Sequence, residues 1–334
     1  MSFFPRLTAG PIVRAEEFLP QLAPKRATTM AIDTAAVWEA LVLVVFGLFK
    51  KLVIADNLAA VADPIFNDLH TSPSRILLAV YAFTVQIYCD FSGYTDIALG
   101  TARLFGYKLP ENFNWPYLSK NPADFWRRWH ISLSNWLREY IFFSLPGQRS
   151  RHRIFSYVNL LITMLICGIW HGTGWTFVLW GLYHGVLLVG YYMIRDAWKS
   201  SSSDGAKPSS LRVPRAQKTP QSKLASLFSI LLMQQLAVAG WILFRLNHLS
   251  DFPLFVNSLL HGRFYTGFNT AEWMAVAFLA LVALAHLVEV RVPITKTALS
   301  LRWNPWVMWT LLLAIIAFSV LSLPKQQMFL YFRF

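Results

Sequence analysis

The chain has little charge and almost no cysteine. Charged residues make up only 14% of its 334 amino acids, whereas 55% are hydrophobic and 16% are aromatic. A soluble globular domain is about one quarter charged, so this composition excludes an ordinary soluble protein. Both cysteines, Cys89 and Cys167, fall in apolar segments, which predicts buried, reduced thiols and no disulfide.

The sequence also lacks the motifs of several common chemistries. No P-loop, G-x-G-x-x-G or G-x-S-x-G occurs, so phosphate-cradling and serine-elbow mechanisms have no support. No H-E-x-x-H is present, and the eight histidines are scattered along the chain, so we expect no metal site. Residues 1–6 lack the charged-then-apolar order of a cleavable signal.

What the sequence does have is a series of apolar runs close to the length of a membrane span, roughly 17–25 residues. They predict an all-α, polytopic integral membrane protein. The runs are 36–49, 76–88, 154–170, 175–194, 224–246, 271–290 and 306–323. The net charge of +13 resides mostly between these runs, which indicates cytoplasmic loops held at anionic lipid and predicts no nucleic-acid partner.

A glycine-rich break separates the runs 154–170 and 175–194, and His171 lies in it. Gly168, Gly172 and Gly174 weaken the helix there. Irregular backbone at membrane depth persists only where it is buried in protein or lines a wet cavity, so His171 is a candidate functional residue. The alternative is a hydrogen-bonded structural histidine. Basic residues flank both ends of the hairpin, which predicts that both ends are cytoplasmic. The length of the first run then places His171 at the membrane midplane or beyond.

Two polar segments lie beside apolar ones. Asp90 and Asp96 follow the run 76–88, and either serve a functional site or form an interfacial turn in which Asp96 caps a helix over 97–105. Asn121 opens a second helix as its cap. Apolar residues at steps of three and four predict that this helix continues to residue 140 with His130 on its apolar face.

Further expectations concern two histidines and two segments between the apolar runs. His184 lies between two glycines, and we expect it to make a structural hydrogen bond between close helices. His286 is expected at a loop or lipid boundary. Residues 198–223 are rich in serine, proline and lysine, which predicts a disordered basic linker in the cytoplasm. The segment 247–270 is expected to be a loop.

The motifs together resemble the membrane-bound O-acyltransferase family, and within it the bacterial branch that O-acetylates alginate, peptidoglycan and related exported glycans. The residues that carry the resemblance are 4–14 (FPRLTAGPIVR), 90–100 (DFSGYTDIALG), 110–114 (PENFN), 125–134 (FWRRWHISLS), 168–172 (GIWHG) and 329–334 (FLYFRF). They follow one another in the family's order from residue 4 to the chain end.

The resemblance implies a single membrane domain over 1–334, a helical bundle with a central funnel, with further helices before residue 4 in relatives. It implies transfer of an acetyl group from a cytoplasmic thioester, acetyl-coenzyme A or similar, with no bound cofactor. The acceptor is an exported polysaccharide at the bacterial inner membrane, reached through a periplasmic SGNH or esterase-like partner. His171 matches the family's catalytic histidine and His130 its second, tunnel-facing position.

Donor or tunnel binding is assigned to residues in the same motifs. They are Trp126, Arg127, Arg128, Asp96 and Trp170. The two arginines are expected to hold phosphates of the donor, with interfacial anchoring as the alternative. Alternative functions are D-alanyl transfer to teichoic acid, an inactive scaffold, and a transporter, which the absence of an inverted repeat disfavours.

Overall fold

The computed structural model describes residues 10–22, 34–147, 152–201, 222–264, 267–289, 292 and 305–322. Throughout these ranges the regular structure is helical. Five of the described helices are long and apolar enough to cross a membrane: Pro73–Leu104, Arg153–His171, Trp175–Trp198, Lys223–Arg245 and Thr270–Glu289. The expectation of an all-α, polytopic membrane protein is therefore confirmed.

The chain divides into two compact units. The first unit is Met1–Phe113 with Ser250–Phe334, and the second is Asn114–Leu249. The described α-helices are α1 Ala15–Leu22, α2 Thr34–Leu48, α3 Asp56–Asn67, α4 Pro73–Leu104, α5 Pro122–Arg128, α6 Ile131–Trp136, α7 Arg153–His171, α8 Trp175–Ser201, α9 Lys223–Arg245, α10 Asp251–His261, α11 Thr270–Glu289 and α12 Pro305–Ser322.

Most of the long apolar runs form helices close to their expected bounds, because in lipid the backbone of an apolar segment must be satisfied by its own hydrogen bonds. The run 76–88 is an exception, since α4 spans Pro73–Leu104. The expected loop 247–270 is wrong in part, since α10 lies within it. α8 extends to Ser201 and α9 starts at Lys223. Most of the predicted linker 198–223 therefore lies outside the described residues. Cys89 and Cys167 are buried free thiols, as expected.

In the first unit, α4 is one uninterrupted helix of 32 residues. The interfacial turn considered at residues 89–96 is therefore absent from it, and Asp96 caps no helix. Asp96 Oδ2 instead lies 2.5 Å from Lys50 Nζ. Lys51 Nζ lies 2.7 Å from Asp90 Oδ1 and 2.8 Å from Asp56 Oδ1. Cationic partners make these carboxylates tolerable on a buried helix.

Close approach of α2 to α4 brings these partners together. A Cβ on Gly47 would stand 2.5 Å from the carbonyl oxygen of Gly93, so only glycine permits this contact. Beyond Gly47 the chain continues as a π-helix, Phe49–Ala55, which carries Lys50 and Lys51. His286 is also inside this unit and not at the lipid boundary: it is buried, and its Nδ1 lies 2.8 Å from Val282 O.

The second unit holds the hairpin of α7 and α8. Helices α9 and α5 pack against α8, and α6 packs against α5. Asn121 caps α5 as expected, since its Oδ1 accepts the Asp124 N–H at 2.8 Å. The expected continuous helix to residue 140 is wrong. The chain breaks after Arg128, and His130 has a left-handed backbone with φ of 42°. His130 therefore lies at a corner between two helices and not along a helix face.

Candidate active site

His171 is the last residue of α7, and the chain resumes as α8 at Trp175. The two helices approach closely where glycines face each other. A Cβ on Gly181 would stand only 2.5 Å from Met164 O, so a larger residue would not fit there. The His171 ring makes edge contacts with Trp170, Trp180 and Phe244, at centroid distances of 4.9, 5.1 and 5.2 Å. The glycine-rich break thus presents His171 to an aromatic environment inside the second unit.

His130 lies close enough to His171 for the two imidazoles to interact electrostatically. It is 4% exposed. Burial lowers the pKa of His130 well below its ordinary value, and the neighbouring His171 lowers that pKa further. His130 is therefore uncharged at pH 7. As a neutral imidazole it can donate one hydrogen bond and accept another beside His171.

A group of buried rings adjoins His171, and we call Phe125, Trp126, Trp180, His184 and Trp241 the aromatic cluster. Trp180 contacts both histidines, with His171 at 5.1 Å and His184 at 4.9 Å. Trp126 contacts Trp180 at 5.9 Å and His184 at 5.3 Å, and Trp241 stacks on Trp180 at 6.1 Å. The cluster therefore joins α5, α8 and α9 beside the break.

Sequence reasoning missed Trp180, Trp241 and Phe125 and gave His184 a structural hydrogen bond. That bond is absent among the described residues: both ring nitrogens of His184 are buried without a hydrogen-bond partner there. The spacing of Trp180 and His184, four residues apart on one helix face, was the available signal. Nothing in the sequence indicated that Trp241 of α9 would meet them.

A cavity of about 380 Å³ lies in the same unit. Its walls come from α5 to α8 and are mainly apolar. Trp126, Arg127, Arg138, Tyr157 and Tyr192 are among the lining residues. Trp126 thus belongs both to the cavity wall and to the aromatic cluster, whereas His171 and His130 do not line this cavity. A volume of this size is typical of small-molecule sites.

The structure separates the residues assigned to donor binding. Both arginines bind Asp124 Oδ1 at 3.2 Å, and Arg128 also donates to Asn114 O at 3.2 Å. Arg127 lines the cavity, whereas Arg128 does not. Arg138, which the sequence analysis did not select, is the second arginine of the cavity wall.

The other two assigned residues lie elsewhere. Trp170 is 54% exposed beside His171. Asp96 belongs to the first unit, where Lys50 binds it. Across the described ranges, no group of three His, Cys, Asp or Glu side chains is placed to hold a metal ion.

These features define a helical membrane protein with a half-buried histidine at a helix break. The family model described as "MBOAT, membrane-bound O-acyltransferase family" matches residues 1–203. The chain belongs to this family.

Several curated relatives agree with this assignment. The chain is 38% identical to the probable alginate O-acetylase AlgI of Azotobacter vinelandii, over 75% of this chain and 44% of the relative. It is 48% identical to the peptidoglycan O-acetyltransferase of Helicobacter pylori, over 56% of this chain and 35% of the relative. It is 29% identical to the teichoic acid D-alanyltransferase of Streptococcus thermophilus, over 72% of this chain and 60% of the relative. The chain thus spans less than half the length of the first two.

Proposed function

We propose that the protein is an O-acetyltransferase of a bacterial inner membrane that moves an acetyl group from a thioester donor toward an exported polysaccharide. The observation that carries this proposal is the position of His171 at the break between α7 and α8, where its ring contacts Trp180 and Phe244. Buried His130 is near enough for His171 to lower its pKa. Family membership supports the reaction class.

In the proposed reaction, His171 takes the proton of the acceptor hydroxyl as that oxygen attacks the thioester carbonyl carbon. A carbon–oxygen bond forms, the carbon–sulfur bond breaks, and the proton passes to the departing thiolate. Histidine suits this task because its unperturbed pKa near 6.5 makes it a usable base at neutral pH. His130 donates a hydrogen bond to the carbonyl oxygen or positions the donor.

The cavity is the proposed site for the donor. Its apolar walls suit the uncharged arm of an acyl thioester such as acetyl-coenzyme A, and Arg127 and Arg138 suit the donor's phosphates. Trp126 supports this placement, because it lines the cavity and also packs on Trp180, which contacts His171. Arg128 and Asp96 do not line the cavity, so neither is assigned to the donor.

Arg138→Gln tests the donor site. We expect the KM for acetyl-coenzyme A to rise by about 10- to 150-fold with little change in kcat, since one charge-assisted hydrogen bond contributes about 1.5–3 kcal/mol. The matched control is Arg128→Gln, which removes an arginine outside the cavity wall. Equal KM changes in the two variants would move the donor elsewhere.

Acetyl transfer is favoured over D-alanyl transfer by the comparisons, in which the acetyl-transferring relatives are the more similar ones. The two reactions differ in the acyl group as well as in the acceptor polymer, so one hydrolysate separates them. Mild alkali releases acetate from O-acetylated glycan and D-alanine from D-alanylated polymer. We infer that a periplasmic SGNH or esterase-like protein receives the group, as the resemblance implies.

The central test is His171→Ala in the complete protein in its own membrane. We expect acetate released from the exported glycan to fall to background while the variant accumulates in the membrane at the wild-type level. His248→Ala is the matched control, because His248 is exposed in the same unit. Wild-type acetate release from the His171→Ala strain would reject the mechanism.

A further inference from the structure

A second pocket, of about 360 Å³, lies in the first unit, and the proposed reaction uses none of its lining residues. It is found where α3 ends and where α4 and α11 begin. We call it the polar pocket, because most of its wall is polar or charged. The wall consists of Pro64, Ile65, Asp68, His70, Thr71, Arg75, Asn269 and Glu272. Small-molecule sites are usually lined mainly by apolar side chains, so this wall indicates a polar ligand.

One side of the polar pocket is fixed by its own contacts. Glu272 is 5% exposed, its Oε1 lies 2.8 Å from Arg75 Nε, and its Oε2 accepts the Asn269 N–H at 2.8 Å. Asn269 Oδ1 in turn accepts the Glu272 N–H at 2.9 Å, which is the reciprocal arrangement of a capping box. A wall that is ordered in advance loses little conformational freedom when a ligand binds.

The charges of the wall decide between classes of polar ligand. Of its lining residues, Arg75 alone is a lysine or arginine, and it is paired with Glu272. Asp68 adds a second carboxylate, so the wall has more negative than positive groups when His70 is neutral. Binding sites for phosphate or carboxylate groups rely on Arg or Lys donors. The polar pocket offers no surplus of these donors, which disfavours an anionic ligand.

The hydrogen-bonding groups of the wall suit hydroxyl groups. The Asp68 carboxylate accepts, the Asn269 amide nitrogen donates, and the Thr71 hydroxyl does both. Asp68 and Asn269 are exposed and Thr71 is half-buried, so a ligand can reach all three. Each sugar hydroxyl both donates and accepts, so a ring that carries several hydroxyls can satisfy neighbouring donors and acceptors together.

The charge pattern places the polar pocket at the outer face of the membrane. The segment that follows α11 is basic, since it contains Arg291, Lys296 and Arg302. Basic segments between membrane spans stay in the cytoplasm, so the start of α11 belongs to the opposite face. Trp273, in the first turn of α11, is 57% exposed, as is typical of a side chain at the membrane–water interface. An exported glycan is present on this side.

We propose that the polar pocket binds an uncharged sugar unit of the exported glycan through its hydroxyl groups. The Asp68 carboxylate accepts a hydrogen bond from one hydroxyl, and Thr71 and Asn269 bind others. The inference rests on the proposed function, because the ligand is the glycan named there. It adds a saccharide site in a unit of the protein that the proposed chemistry does not use.

The test measures binding of a tetramer of N-acetylglucosamine to the complete, detergent-purified protein by titration calorimetry. Asp68→Asn removes a carboxylate but keeps an oxygen that can accept the His70 N–H, and Thr71→Val removes a hydroxyl at nearly constant shape. We expect the Kd to rise about five- to tenfold for Asp68→Asn and about two- to tenfold for Thr71→Val. The matched controls are Asp251→Asn and Thr310→Val, which lie in the same unit outside the wall and should leave the Kd unchanged.

Two further measurements test the class of ligand and the place where it binds. A tetramer of mannuronic acid carries one carboxylate on each sugar, and we expect it to bind at least about tenfold more weakly, because a carboxylate would face Asp68. A photoreactive N-acetylglucosamine tetramer should crosslink to residues 64–75 or 269–272, as located by mass spectrometry. Crosslinks only in other segments would overturn the proposal.

Binding is measured without acetyl transfer, so the inference and the proposed function can fail separately. His171→Ala should bind the N-acetylglucosamine tetramer as tightly as the wild type. If the wild type acetylates no glycan, the proposed function fails. If it does, but binds no N-acetylglucosamine tetramer or shows the same Kd as Asp68→Asn and Thr71→Val, only this inference fails. Equal or tighter binding of the mannuronic acid tetramer would also overturn the assignment to an uncharged sugar.

Discussion

The half-buried Lys51 of the first unit offers a sharp test of how the protein holds a buried carboxylate inside an apolar bundle. Lys51 Nζ contacts Asp90 Oδ1 at 2.7 Å and Asp56 Oδ1 at 2.8 Å, and the Asp90 side chain is only 4% exposed. Lys51→Met keeps the length of the side chain and removes its charge. The Asp90 carboxylate then stays in the helix interior without the cation it now contacts.

The expected loss is large because an uncompensated buried charge is costly. Breaking a buried pair by removing one partner destabilises a protein by about 3–5 kcal/mol. For a domain of 150–250 residues, 1 kcal/mol shifts the Tm by about 2–4 °C. Lys51→Met should therefore lower the Tm of the detergent-purified protein by roughly 6–20 °C. Thermal unfolding followed by tryptophan fluorescence measures it.

Arg103 provides the matched control. Its NH1 group lies 2.8 Å from Glu39 Oε2, but the two side chains are 33% and 44% exposed. An exposed ion pair contributes about 0–1 kcal/mol, so Arg103→Met should lower the Tm by no more than about 4 °C. The double variant Lys51→Met with Asp90→Leu should recover most of the loss, because a well-packed apolar pair can replace a buried ion pair. Equal Tm changes in Lys51→Met and Arg103→Met would refute the reasoning.

Two further predictions follow from the second unit. His130→Gln should reduce the acid sensitivity of the fold. Because burial lowers the pKa of His130, the free energy of unfolding of the wild type falls as the pH drops below about 6.5, by up to about 1.4 kcal/mol per pH unit. Unfolding measured at pH 7.5 and 5.5 checks this, and equal losses in both proteins would contradict it. Gly168→Ala should cost about 1–3 kcal/mol by forcing α7 from α8, since its Cβ would collide with Phe177 O. Gly190 has open space around it, so Gly190→Ala should leave the free energy of unfolding unchanged or raise it by up to about 1 kcal/mol. A similar loss of unfolding free energy in both glycine variants would be inconsistent with the packing.

The spans were predictable because hydropathy alone decides them. α9, α11 and α12 start and end within a residue or two of the apolar runs that predicted them. The prediction failed at α4, where Asp90 and Asp96 suggested a turn. The helix continues there because Lys50 and Lys51, some 40 residues earlier in the chain, meet the two carboxylates. Local sequence cannot reveal a partner at that separation.

The candidate site was likewise predictable from the sequence only in part. The glycine-rich break and His171 were visible in the sequence, since glycines interrupt an otherwise apolar hairpin. His130 lies near enough to His171 to interact with it electrostatically. The sequence predicted His130 on a continuous helix, and its left-handed corner was missed. Arg138 and Trp241 went unnoticed, because which side chains share a cavity or a ring contact depends on how separate helices pack.

The sequence by itself therefore determined that this is a helical membrane protein with a histidine at a broken hairpin, because bilayer thickness and backbone hydrogen bonding leave few alternatives for such a chain. Only the tertiary structure decided which charges are compensated and which rings surround the histidine. Those contacts join residues far apart in the chain, such as His184 with Trp126 and Lys51 with Asp90, and they arise only when the helices pack.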